Sequence, residues 1–214
     1  MSDVSLKIPN GAVTLEALLH LPSTGKPPFP GIVVCHPHPL YGGSMHNNVV
    51  DAIVRGALSQ GIAALRFNFR GVGASTGEHD NGTGEQTDAI AALSALRKRK
   101  EIDPKRTGIA GYSFGSIVAT AVAPKDANLL ALAAVAPLPT GLNTPAMLSW
   151  SKPKLFIPGD MDTFIPVEEV HEMTRRMAKP LRIEVLHGAD HFMADYESDI
   201  SEYIADFFKQ ALMV

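Results

Sequence analysis

The chain has 214 residues, 45% of them hydrophobic and 19% charged, and its 19 Lys and Arg against 22 Asp and Glu leave a formal net charge of -3. That composition can bury a sizeable core and is too apolar for a disordered chain. The absence of a basic excess argues against nucleic acid as a partner, since no run of phosphates could be neutralised. The one basic run, Arg97 to Lys100, reads as the solvated end of a helix. A single cysteine, Cys35, excludes an intramolecular disulfide and a cysteine-based metal cluster. No apolar run approaches a membrane span, and Met1 to Lys7 lacks a charged segment followed by an apolar one. The expectation is one domain over residues 1–214, soluble and cytoplasmic, with no membrane partner.

Residues 4–9 and 13–21 alternate apolar and polar side chains around Pro9-Asn10-Gly11, which predicts an antiparallel hairpin. After the Pro-rich connection of residues 22–28 the pattern changes to unbroken apolar runs at 31–35, 62–67, 107–111, 130–135, 154–157 and 182–186. Continuous apolar strands belong to a sheet covered on both faces and hence parallel. Helical periodicity lies between them, as in Val49, Val50, Ile53, Val54 and Leu58 ahead of the stop at Gly61. Thr83 and Gln86 fit a capping box for a helix over residues 84–99. A last helix over about 195–212 is expected to bury Ile200, Ile204, Phe207, Phe208 and Leu212. Strand and helix in alternation give a doubly wound sheet.

One strand ends in Gly111-Tyr112-Ser113-Phe114-Gly115, and a buried helix is expected from Phe114 to Val122. Strand, sharp turn and helix are what a nucleophile elbow needs. The flanking glycines relieve collisions with neighbouring main chain, and the serine hydroxyl is raised above the sheet at a helix N-terminus. A serine is a poor nucleophile unless a base takes its proton and a carboxylate orients that base. Downstream, the strand ending at Ile157 leads into Gly159-Asp160-Met161-Asp162, and the one ending at Leu186 leads into His187-Gly188-Ala189-Asp190-His191-Phe192. Asp160 competes with Asp162 and His187 with His191. His187 directly ends its strand whereas His191 lies out in the loop, able to reach back, and loop position favours Asp162. Asp190 reads as solvent-facing or as a cap on the following turn.

An acyl-transfer site also needs two backbone NH groups for the oxyanion. One is expected from Phe114, the other from the loop His36 to Gly43. Pro37 and Pro39 have no NH to offer, which leaves His38 first and Leu40 second by position. His36 and His38 lack a third ligand at suitable spacing for zinc, so no metal is expected, and Cys35 reads as a small core residue.

With these residues in place the chain resembles the α/β-hydrolase superfamily, in particular small cap-less bacterial serine hydrolases related to dienelactone hydrolases. The similarity is carried by His36 to Gly43, Phe67 to Ser75, Gly111 to Gly115, Gly159 to Asp162 and Gly188 to Phe192. It implies the α/β-hydrolase fold: a mostly parallel, eight-stranded, doubly wound sheet with an antiparallel N-terminal hairpin. It implies Ser113, Asp162 and His191 as the triad, because the family's acid is fourth in a Gly-x-x-Asp turn and its histidine precedes an aromatic residue. It also implies that Asn68 to Ser75 is a largely structural loop near the site, with Arg70 tied into local hydrogen bonds.

Dienelactone hydrolases proper use a cysteine nucleophile, so Ser113 departs from their pattern and turns the expectation toward other esters. Only seventeen residues, 137–153, occupy the place where relatives insert a cap, so an open site with at most a short flap is expected. The predicted activity is hydrolysis of small or short-chain carboxylic esters without a cofactor, by a monomer or homodimer acting on a small-molecule substrate. A thioesterase or peptidase would use the same triad, and a non-catalytic binding protein on this fold would be expected to lack one of its members. Tyr41, Leu142, Met147 and Trp150 are candidate walls of the acyl pocket, with core packing as their alternative role.

Overall fold

The alternation read in the first twenty residues builds β1 (Ser2–Asn10) and β2 (Val13–Leu21), paired antiparallel from Asn10 opposite Val13 to Ser2 opposite Leu21. The computed structural model describes residues 2–213, and Met1 and Val214, the ends of the expected domain, lie outside the described residues. The unbroken apolar runs form β3 (Phe29–Cys35), β4 (Ala63–Phe67), β5 (Ile102–Tyr112), β6 (Leu129–Val135), β7 (Lys154–Ile157) and β8 (Leu181–Ile183). One eight-stranded sheet results, in the order β1-β2-β4-β3-β5-β6-β7-β8, parallel from β4 through β8 with the hairpin antiparallel at one edge.

Both faces of the parallel strands are covered, which is why their sequences do not alternate. All of β3 is buried. Val33 and Cys35 join a core under α2 (Thr83–Arg97) and α3 (Phe114–Val122), while Ile32 and Val34 join one under α1 (Asn48–Ser59) and α7 (Glu197–Leu212). The five side chains expected on the inner face of the last helix are buried there.

Four expectations shift. β5 begins five residues earlier than its apolar run, because Ile102 pairs with Phe29 before the register slips ahead of Gly31 and Thr107. β8 stops at Ile183 instead of continuing to 186, and the chain returns to the sheet only at the bridge between Leu186 and Gly159. The cap of α2 lies one residue upstream of Thr83. Gly82, at φ 92°, holds the cap position, and the buried Glu85, not Gln86, accepts from the backbone NH of Gly82 and of Asp80 at 2.7 and 2.9 Å. A carboxylate suits that place better than an amide, since it takes two NH donors at the positive end of the helix.

The fourth concerns residues 137–153. They fold into two short helices, α4 (Pro139–Leu142) and α5 (Pro145–Ser149), tucked against the sheet. Leu142, Met147 and Trp150 therefore sit in the core with Leu132, Phe156 and Ile165 and do not reach the cleft. Apolar side chains on a segment this short gain more from the existing core than from solvent.

The loop after β4 is fixed by Asp88 on α2, which is wholly buried. Its carboxylate accepts from Arg70 Nη2 at 2.8 Å, from Arg70 Nε and backbone N at 3.0 Å, and from Asn10 Nδ2 at 2.8 Å. Removing the carboxylate leaves the largely covered guanidinium of Arg70 and the amide of Asn10 without their acceptor. Asp88→Ala is expected to lower stability by roughly 3–5 kcal/mol in urea melts, and Asp88→Asn, which keeps an acceptor, by less.

Candidate active site

The elbow is a matter of main chain meeting main chain. A Cβ on Gly111 would lie 2.1 Å from the carbonyl oxygen of Gly115, and one on Gly115 would lie 2.2 Å from that of Cys35. Only glycine admits this approach. It lets α3 start directly on top of β5 beside the end of β3, and it holds Ser113 at φ 52° and ψ -117°, a conformation that costs a non-glycine residue of order 1–3 kcal/mol. The ladder continues through it, since the NH of Ser113 donates to the carbonyl of Val135 at 3.0 Å.

From that position the Ser113 hydroxyl meets His191 Nε2 at 2.8 Å, and His191 Nδ1 meets Asp162 Oδ2 at 2.7 Å. The other oxygen of Asp162 accepts from the NH of Phe164 at 2.8 Å and of Ile165 at 3.3 Å. A carboxylate can only accept, so facing Asp162 the hydrogen belongs on Nδ1 of His191, and Nε2 offers its lone pair to the serine. The three residues come from the ends of β5, β7 and β8. The last two loops are joined by main-chain bonds, the NH of Met161 donating to the carbonyl of Ala189 at 3.0 Å and that of Asp160 to Leu186 at 3.2 Å. Ser113 and His191 each remain 8% exposed, enough to be reached from the cleft.

Asp160 and His187 form a second pair at 2.8 Å on the outside of the same two loops, with Asp160 also accepting from the NH of Gly188. The imidazole of His187 holds the Asp160 carboxyl below its ordinary range. Neither residue lines the cleft. Asp190 is exposed and accepts from the NH of Phe192 at 2.9 Å, capping its turn.

In the loop after β3, the NH groups of Tyr41 and Gly43 donate to the carbonyl of His38, and the NH of Leu40 donates to His38 Nδ1 at 3.2 Å. The NH groups of His38 and Phe114 have no intramolecular acceptor among the described residues. His36 anchors this loop from below. Its wholly buried ring donates from Nδ1 to the carbonyl of Pro37 at 2.6 Å and accepts at Nε2 from the NH of Phe69 at 3.0 Å. Both nitrogens are thus used in joining two loops, not in pairing with His38 toward a metal. Burial pushes the Cys35 thiol up, as befits a core residue.

The cleft encloses about 730 Å3. Tyr41 lines it, as expected, and so do Ile117, Leu138, Phe164 and Phe192, which sequence reasoning did not single out. Tyr112 and His79 were missed as well. The Tyr112 hydroxyl donates to the main-chain carbonyl of His191 at 2.9 Å and holds that residue from behind. His79 packs its ring against those of His38 and Phe114, at 5.0 and 5.5 Å between centroids, with Nδ1 2.9 Å from the buried Glu85 Oε1. Tyr112 could have been suspected from its place inside the elbow. Nothing in the local sequence marks His79.

A model of the dienelactone hydrolase family matches residues 15–211 of the chain. An uncharacterised protein of Rickettsia prowazekii is 32% identical over 192 residues, covering 85% of this chain and 79% of that one. An α/β serine hydrolase homologue from Coxiella burnetii superposes with a TM-score of 0.86 at 31% identity over 96% of this chain and 97% of its own. A Xanthomonas campestris α/β serine hydrolase without a lid does so at 0.85 and 27%, over 99% and 96%.

Burial moves the pKa of His36 from 6.5 down to about 4. The unfolded chain takes up this proton near pH 6.5 and the folded chain only near 4, so acid favours unfolding within that window. About 3 kcal/mol of stability is expected to be lost from this residue as pH falls from 6.5 to 4. Urea melts across the range should show the loss, and His36→Asn, without a titrating ring, should show a shallower one.

Proposed function

The chain belongs to the dienelactone hydrolase family, and from that premise we propose that its cleft hydrolyses small carboxylic esters through an acyl-enzyme on Ser113. The observation that carries this reading is the relay of 2.8 and 2.7 Å from Ser113 Oγ through His191 to Asp162, standing on a strained elbow. Ser113 Oγ attacks the ester carbonyl while its proton passes to His191 Nε2. The NH groups of Phe114 and His38, free of intramolecular acceptors, receive the oxyanion. The carbon–oxygen bond to the alcohol then breaks and His191 returns the proton to the departing oxygen. Water repeats the sequence on the acyl-enzyme and frees the acid and Ser113. Asp162 keeps the imidazole in the tautomer this requires and stabilises the imidazolium.

Cys35 cannot replace the serine, because it lies wholly buried in the sheet. The segment 137–153 packs into the core, so the reading is of an open site, reached directly from solvent.

Ser113→Ala is expected to fold normally and lose roughly 10^4–10^6 in kcat on p-nitrophenyl butyrate, together with labelling by a fluorophosphonate. Retained turnover in that variant would sink the assignment. The two carboxylates should separate sharply in the same assay. Asp162→Asn should cost on the order of 10^4 in kcat, through the wrong tautomer, and Asp160→Asn less than about threefold, since it touches only the outer pair.

A further inference from the structure

Five of the exposed large apolar side chains, Leu40, Tyr41, Met161, Phe164 and Phe192, lie on the loops that carry the site. Two of them stand against the base itself. The Phe164 ring lies 4.5 Å from the His191 ring between centroids at 40°, and Phe192 lies 6.2 Å from it at 80°, edge to face. Each is 64% exposed. The main chain of each is held: the NH of Phe164 is bonded to Asp162 Oδ1, and the NH of Phe192 to Asp190 Oδ1. These bonds hold the main chain from which the two rings project, and the one from Phe164 also engages the carboxylate of Asp162.

The chemistry says what arrives beside them. In the acylation step the bond from Ser113 Oγ to the carbonyl carbon forms, the bond from that carbon to the alcohol oxygen breaks, and the proton taken from Ser113 goes from His191 Nε2 to that oxygen. The leaving alcohol must therefore lie on the His191 side of Ser113, where Phe164 and Phe192 form the cleft wall. Two rings so placed beside His191 can cover a flat apolar group by offset and edge-to-face contacts, which contribute beyond the area they bury. No Lys, Arg, Asp or Glu is among the described residues lining the cleft, so a charged alcohol would find no counter-ion there.

We infer that Phe164 and Phe192 form the leaving-group subsite of this cleft and select esters of uncharged aryl alcohols. The inference rests on the ester-hydrolase reading above and adds its specificity.

The test compares three acetate esters, which share one acyl-enzyme: phenyl acetate, ethyl acetate and 4-acetoxybenzoate. The wild-type protein is expected to prefer phenyl acetate over the anionic 4-acetoxybenzoate by roughly tenfold or more in kcat/KM, although the latter has the no poorer leaving group. In the Phe164→Ala/Phe192→Ala variant, kcat/KM for phenyl acetate should fall roughly ten- to a hundredfold, and that for ethyl acetate less than about threefold. The Phe164→Tyr/Phe192→Tyr variant should recover the phenyl acetate rate. Hydrolysis of the acetyl-enzyme, measured by single turnover, should be unchanged, because the alcohol has already left.

An equal loss on phenyl and ethyl acetate, or slowed deacylation, would mean that the rings only prop His191, and overturns the inference. Unchanged phenyl acetate kinetics with an altered oligomeric state in light scattering would make the rings a contact between copies of the chain, and also overturns it. A wild-type protein that neither labels with fluorophosphonate nor cleaves any of the three esters would overturn the ester-hydrolase reading itself, and the subsite with it.

Discussion

Everything at this site depends on how closely three pieces of main chain approach at the elbow. The carbonyl of Gly115 stands where a Cβ of residue 111 would be, and the carbonyl of Cys35 where a Cβ of residue 115 would be. With glycine at both positions, α3 can begin immediately beside β3 and β5. Ser113 then has no room to relax out of its positive φ. The strain is borne because the residues around it are over-determined: β5 is paired on both sides, and the ladder bond to Val135 runs through the serine itself. The same approach brings the end of β3, and with it the loop of His38, next to the first NH of α3.

The pairing of the other two loops follows from parallel strands ending side by side. β7 delivers a turn with Asp160 and Asp162 and β8 one with His187 and His191, and the main-chain bonds between Asp160 and Leu186 and between Met161 and Ala189 set their register. Once that register is fixed, the four side chains sort by depth. Asp160 and His187 meet in solvent, and Asp162 and His191 meet over the elbow. An exposed Asp–His pair is worth little and serves to close the turn. The inner pair, with Asp162 buried and both its oxygens engaged, fixes one tautomer.

How much of this could be read from the sequence tracks how local the determinants are. Unbroken apolar runs announced the parallel strands because burial on both faces leaves no other composition. The last helix was legible from its stripe alone. Boundaries failed where a contact outside the pattern decided: Ile102 joins β5 by pairing with Phe29, and Glu85 takes the place expected for Gln86 because its carboxylate accepts from two NH groups, those of Gly82 and Asp80. The chain order Ser113, Asp162, His191 was legible, since strand ends and loop positions carry it. The walls of the cleft were not. Leu142, Met147 and Trp150 look like pocket residues in sequence, but whether a seventeen-residue segment leans over the site or into the core depends on its packing against Leu132, Phe156 and Ile165, which its own sequence does not show. Conversely, Phe164 and Phe192 resemble any apolar residue until their exposure is known.

That inversion bears on how an uncovered site can discriminate at all. A lidded enzyme can exclude water and wrap a substrate with an inserted domain. Here the apolar residues of the short segment pack into the core, so the cleft is lined instead by the loops that carry His38, Phe164 and His191. Two of those loops have a buried polar brace as well: Tyr112 behind His191, and His36 beneath His38. Side chains projecting from such loops keep their place without a cover. On the proposed reading, support from below takes the part that closure plays in lidded enzymes, and the aromatic rings beside His191 are the groups through which the site would recognise what it cleaves.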